Sequence, residues 1–149
     1  MNNFNYFAPT EVRFGRDVEL ETGEVAKKYG SRAVLVFGKN SVRNSGLLDR
    51  VEKSLQDAGV EFVEFGGAKP NPTVEHAREG VKVALDFKAD LIIALGGGSA
   101  IDTAKAIAII MANPEFEDVV SLDGVAETKN KAVPIDVYLG KEFNTLIIT

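Results

Sequence analysis

Two short, uninterrupted apolar runs constrain this chain more than any other feature. "RAVLVFG" (32–38) and "DLIIAL" (90–95) are apolar on successive residues, and each is stopped by glycine. Such runs suit strands buried on both faces of a parallel sheet, because a sheet with one wet face would show alternation instead. The segments between them carry a different period. In "SGLLDRVEKSLQDAG" (45–59), Leu48, Val51, Leu55 and Ala58 share one helical face, and Gly59 marks the stop. In "NPTVEHAREGVKVALDF" (71–87), Thr73 is placed as an N-cap, and Val74, Ala77, Val81, Ala84 and Leu85 recur at helical spacing. "VEFVEF" (60–65) reads as a further strand and residues 99–112 as a third helix. "EVRFG" (11–15) reads as a short strand, and "DVELETGEVAKKYG" (17–30) as a short helix ended by Gly30. Strands alternating with amphipathic helices imply an α/β fold with a mostly parallel sheet, its right-handed crossovers covering both faces with helices. No repeat or linker divides residues 1–149, so a single domain is expected.

Composition narrows the function. A net charge of −5 argues against broad electrostatic binding to nucleic acid. There is no cysteine, which removes disulfides, thiolate metal sites and cysteine nucleophiles together. His76 is the one histidine, so no His-rich metal site can form; a half-exposed helix residue is the expected reading. No segment reads as a signal peptide or is long enough to span a bilayer, which makes the cytoplasm the expected compartment. The acids of "EFED" (115–118) read as a solvated loop, and the Ile and Ala stretch of 104–112 as core.

Chemistry concentrates in "LIIALGGGSAIDTAKAIAII" (91–110). Gly96, Gly97 and Gly98 stand where a core strand hands over to a helix. In open α/β sheets, ligands bind outside the carboxyl ends of the strands. The helix directs its first free N–H groups and its positive dipole end at that crevice, and bare glycines let a phosphate reach them. Ser99 adds a hydroxyl. A structural alternative exists for the same residues: Ser99 and Asp102 match the spacing of a helix-capping box. A G-x-G-x-x-G fingerprint after the first core strand is absent, and "FGKNS" (37–41) lacks the first glycine of a P-loop.

"GGGSAIDTAK" (96–105), together with "PNPT" (70–73) and "FNYFAPTEVRFG" (4–15), resembles the iron-containing, or group III, alcohol dehydrogenases over about residues 4–135. The resemblance implies a Rossmann-like α/β cofactor domain, in the family followed by an all-helical one. It implies hydride transfer between NAD(P) and a small alcohol or aldehyde. It assigns the pyrophosphate to Gly97, Gly98 and Ser99, places Asn71 along the nucleotide, and includes Asp102 in the same motif. Family members that prefer NAD often have Asp at the end of the first core strand; here that position is Gly38, followed by Lys39, Asn40 and Ser41, with Arg43 close behind. No acid there blocks a 2′-phosphate, and two cations plus a hydroxyl are available to pair with it, so NADP is expected over NAD.

The sequence departs from the family pattern after "KAVPI" (131–135). "DVYLGKEFNTLIIT" (136–149) replaces a Thr-rich, Gly-containing loop, and alternation over Val133, Ile135, Val137 and Leu139 followed by "NTLIIT" suggests a C-terminal hairpin. In the family the ligands for Fe²⁺ or Zn²⁺ lie in the helical domain, so the expectation is a truncated nucleotide-binding half that is inactive alone. Phe4, Tyr6 and Phe7 correspond to a family segment that contributes to a dimer contact, which makes a homo-oligomer the expected state. Glycerol dehydrogenase and dehydroquinate synthase relatives share the two-domain plan and stay open as readings. A non-enzymatic, self-associating module stays open as well.

Overall fold

Both apolar runs fold as strands without an exposed side. The computed structural model describes residues 13–70, 72–112 and 144–148. β1 (Arg32–Phe37), β2 (Glu61–Phe65), β3 (Leu91–Leu95) and β4 (Asn144–Ile148) form one parallel sheet in the order β2-β1-β3-β4. β1 and β3 hold the centre, in register from Ala33↔Leu91 to Phe37↔Leu95. Every residue of β3 is buried, and every residue of β1 but Arg32.

The pleat divides these side chains between two cores. Ala33, Leu35, Phe37, Leu91, Ile93 and Leu95 face one side. There they meet Leu48, Val51 and Leu55 of α3 (Leu47–Ala58) and Ala26 of α1 (Thr22–Ala26). Val34, Val36, Ile92 and Ala94 face the other side. They meet Ala84 of α4 (Val74–Phe87) and Ala104, Ile107 and Ala108 of α5 (Gly98–Ala112). Helices therefore cover both faces, as the continuous apolar runs require.

Helix ends follow their local chemistry. Thr73 caps α4, its hydroxyl accepting the His76 N–H at 3.3 Å. Gly59 ends α3 in the left-handed region at φ 73°. Gly30 has another purpose: a Cβ there would lie 2.5 Å from the Asp90 carboxylate, which accepts the Ser31 and Arg32 amides.

Several sequence-based expectations are corrected. Residues 13–15 form no strand, while Glu11 and Val12 lie outside the described residues. The helix expected over 17–30 is a 3-10 turn, Val18–Glu21, running into the short α1. A further one-turn helix, α2 (Ser41–Asn44), precedes α3. Leu85, expected on the buried face of α4, is 60% exposed. Of the expected hairpin, the "NTLIIT" limb is a strand, but its partner is β3 and the pairing is parallel. The other limb, with residues 115–118 and Phe4, Tyr6 and Phe7, lies outside the described residues.

Candidate functional site

The three strands that precede described helices all end on glycine along one edge of the sheet. Gly38 follows β1, Gly66 follows β2 and Gly96 follows β3. The registers Val36↔Phe65 and Phe37↔Leu95 keep the three glycines together. Each has a local reason or a local opening. A Cβ on Gly66 would press to 2.8 Å from the Phe37 ring. Gly96 sits at φ 112°, a conformation that side chains avoid. At Gly38 the only heavy atom near an added Cβ is the Ala68 carbonyl oxygen at 3.9 Å, so the position is open.

Gly97 and Gly98 have no structural reason to be glycine. Neither adopts a positive φ. Both are exposed, and nothing lies within 4 Å of a Cβ added to either. Glycine at the start of a helix forgoes about 0.4–1 kcal/mol that alanine would contribute through the unfolded chain. Packing and backbone strain thus leave these two glycines unexplained, whereas an approaching anion needs the room they leave.

The amides point the same way. The Gly97 carbonyl accepts the Ala100 and Ile101 N–H groups at 3.0 and 3.3 Å, so α5 begins there. Among the described residues, no acceptor takes the N–H groups of Gly97, Gly98 or Ser99. Ser99 is half-buried within the first turn rather than ahead of it, so it cannot serve as the N-cap of a capping box. Its carbonyl accepts the buried Thr103 hydroxyl at 2.8 Å. Asp102 is exposed one turn along α5.

After β1, Lys39, Asn40 and Ser41 are all exposed. Asn40 holds α2 through its carbonyl, which accepts the Asn44 N–H at 2.8 Å, and its side chain makes no cap bond. Arg43, also exposed, has a partner of its own. Its guanidinium is paired with Glu64 of β2 and lies 5.1 Å from the centre of the Phe37 ring. Glu64 in turn faces Glu52 of α3. Burial pushes the Glu52 carboxyl above its ordinary pKa, and the charge of Glu64 and a hydrogen bond shared with it add to the effect. Asn71 lies outside the described residues.

His76 is partly buried at the first turn of α4. Its ring stacks on Phe65 at 4.6 Å, and Nδ1 lies 3.3 Å from Glu79. Among the described residues there is no group of three His, Asp or Glu placed to hold a metal ion. No helix there is long and apolar enough to cross a membrane. The residues that the sequence reading missed are the Gly66 and Gly67 pair. Their signal was plain, two glycines directly after a strand in "EFGGAK" (64–69).

The family model for iron-containing alcohol dehydrogenase matches residues 9–138. NADH-dependent butanol dehydrogenase A of Clostridium acetobutylicum is 40% identical over 108 residues, 72% of this chain and 28% of that protein. NADPH-dependent butanol dehydrogenase of Clostridium saccharobutylicum is 37% identical over 126 residues, 83% of this chain and 32% of that protein. The crystal structure of NADH-dependent butanol dehydrogenase A from Thermotoga maritima superposes with a TM-score of 0.74 at 33% identity, covering 86% of this chain and 33% of that one. The chain spans about a third of the length of these relatives. With its Rossmann-like parallel sheet and its glycine-serine turn, the chain belongs to the iron-containing alcohol dehydrogenase family.

Proposed function

We propose that residues 1–149 are the dinucleotide-binding domain of an alcohol dehydrogenase that moves hydride between NADP(H) and a small alcohol or aldehyde. The observation that carries this reading is the pair Gly97 and Gly98, open and unstrained, beside three amides without a described acceptor. A diphosphate fits that need: it brings negative oxygens to bare N–H groups at the positive end of a fifteen-residue helix. Gly97, Gly98 and Ser99 would hold it, Asp102 would border it, and Asn71 would lie along the nucleotide.

The preference for NADP rests on Gly38. An acid at this end of a strand accepts bonds from ribose hydroxyls and repels a 2′-phosphate, and here there is none. Lys39, Asn40 and Ser41 supply a cation and polar groups next to the opening. Relatives named for NADH and for NADPH both occur, so membership of the family does not by itself choose between them. The dinucleotide supplies the hydride; this chain's own residues bind and orient it. The described residues do not fit a metal ion.

Calorimetric titration of NADP and NAD against wild type and Gly38→Asp tests the reading. The open space at Gly38 accepts the new side chain, so the fold should survive. NADP affinity should fall about tenfold more than NAD affinity, the size expected for placing a like charge beside a phosphate. Equal losses for both dinucleotides would refute the assignment.

A further inference from the structure

The loop after β2 runs beside the end of β1, which brings Lys69 near Gly38 although the two are far apart in sequence. At Gly67, φ 90° turns the chain back toward β1. The Gly67 N–H donates to the Gly38 carbonyl at 3.1 Å, and the Ala68 N–H to the Phe37 carbonyl at 3.1 Å. Ala68 is buried, and its carbonyl oxygen is the atom that faces the open side of Gly38. The next residue is Lys69, which is exposed. Lys69 is thus bonded directly to the group that borders Gly38, while Lys39 follows Gly38 on the other side.

Charge around this point favours an anion. No described acid is paired with Lys39 or Lys69, whereas Arg43 is committed to Glu64 and cancels the nearest β2 carboxylate. Position along the edge says which anion. The free amides stand at the end of β3, Gly38 one strand over, and the Lys69 loop on the far side of that. Neighbouring strands are about 4.8 Å apart, so a nucleotide with its diphosphate at β3 carries its ribose toward Gly38 and a 2′-substituent toward Lys69.

We propose that Lys69, with Lys39 opposite, is the specificity-determining residue that holds the 2′-phosphate of NADP over Gly38, in place of Arg43. This rests on the dinucleotide reading above. The ammonium group acts as a point charge on a flexible stem, which suits a monoester phosphate at an exposed rim.

The test titrates NADP, NAD and 2′,5′-ADP by calorimetry into wild type, Lys69→Glu, Lys69→Met and Arg43→Gln. Lys69→Glu should weaken NADP and 2′,5′-ADP about tenfold or more and NAD less than about twofold, with Lys69→Met intermediate. The Lys69 share of the NADP preference should shrink as salt rises, as expected for an exposed charge. Arg43→Gln should leave the ratio of NADP to NAD affinity within about twofold of wild type. An unchanged ratio in Lys69→Glu, or a ratio that collapses in Arg43→Gln, overturns the Lys69 assignment while leaving the dinucleotide site intact. Failure of wild type to bind any of the three overturns the site itself, and the Lys69 assignment with it.

Discussion

At the scale of single residues, the informative contrast is between glycines the fold requires and glycines it does not. Gly66 and Gly96 are required, one by the Phe37 ring and the other by its φ. Gly98 is not, and this makes a decisive substitution. Gly98→Ala should stabilise the ligand-free chain by about 0.5 kcal/mol, because it limits the unfolded backbone at a position alanine fits without strain. The same methyl group stands where a diphosphate would approach, so dinucleotide affinity should fall. Urea denaturation and calorimetry on one preparation read both effects. A variant that binds as tightly as wild type would mean that the open glycines serve no ligand. The sequence alone pointed to these residues but could not separate a tight turn from an anion seat. The reason is physical: the two differ only in what surrounds the backbone, and that is a property of the folded chain.

Among the elements, α1 and α3 approach each other closely at Gly23. A Cβ on Gly23 would lie 2.0 Å from the Ser54 carbonyl oxygen and 2.9 Å from the Ala58 Cβ. The Ser54 hydroxyl joins the two helices as well, accepting the Gly23 N–H at 2.9 Å and donating to the Leu20 carbonyl at 2.6 Å. Gly23→Ala raises helix propensity by about 1 kcal/mol. Against that stands a clash with backbone, which cannot swing aside, so a net loss of about 2–3 kcal/mol is expected from equilibrium denaturation. Crossing helices α4 and α5 have a similar device at Gly80, whose added Cβ would meet Ile107 at 2.3 Å. Helical periodicity revealed α3 and α4 because each buries one stripe. It missed α2 and the division of residues 17–30, since elements of four or five residues span too little chain to show a period. It also misplaced Leu85, which neighbours the buried Ala84 but is exposed, the buried face of α4 running through Ala77, Gly80 and Ala84.

For the whole molecule, the sheet decides what the chain can do by itself. Its carboxyl edge carries Gly38, the Gly66 to Lys69 loop and the amides of 97–99, and no group of three His, Asp or Glu placed to hold a metal ion is found among the described residues. On the proposed reading, the 149 residues expressed alone should bind NADP without turning it over. At a hundredfold excess over the dissociation constant, the cofactor should add about 2.7 kcal/mol to stability, visible as a rise in Tm. Mixed with NADPH, a short-chain aldehyde and Fe²⁺ or Zn²⁺, the chain should oxidise no NADPH above background, followed by the loss of reduced-nicotinamide absorbance. Rapid oxidation would show that these residues assemble a catalytic centre after all.

The amino-acid sequence by itself determined the class of fold and the position of the glycine turn proposed as an anion seat. Both are local: a strand wet on neither face must be apolar throughout, and a phosphate needs bare amides at the start of a helix. Tertiary structure alone decided which charges stand beside that seat. Arg43 is five residues from Gly38 in sequence but is taken by Glu64, while Lys69 is far away in sequence and arrives through the turn at Gly67. The parallel placement of Asn144–Ile148 beside β3 was decided in the same way. Each of these depends on pairings between distant segments, which the burial of the whole sheet selects and no local pattern encodes.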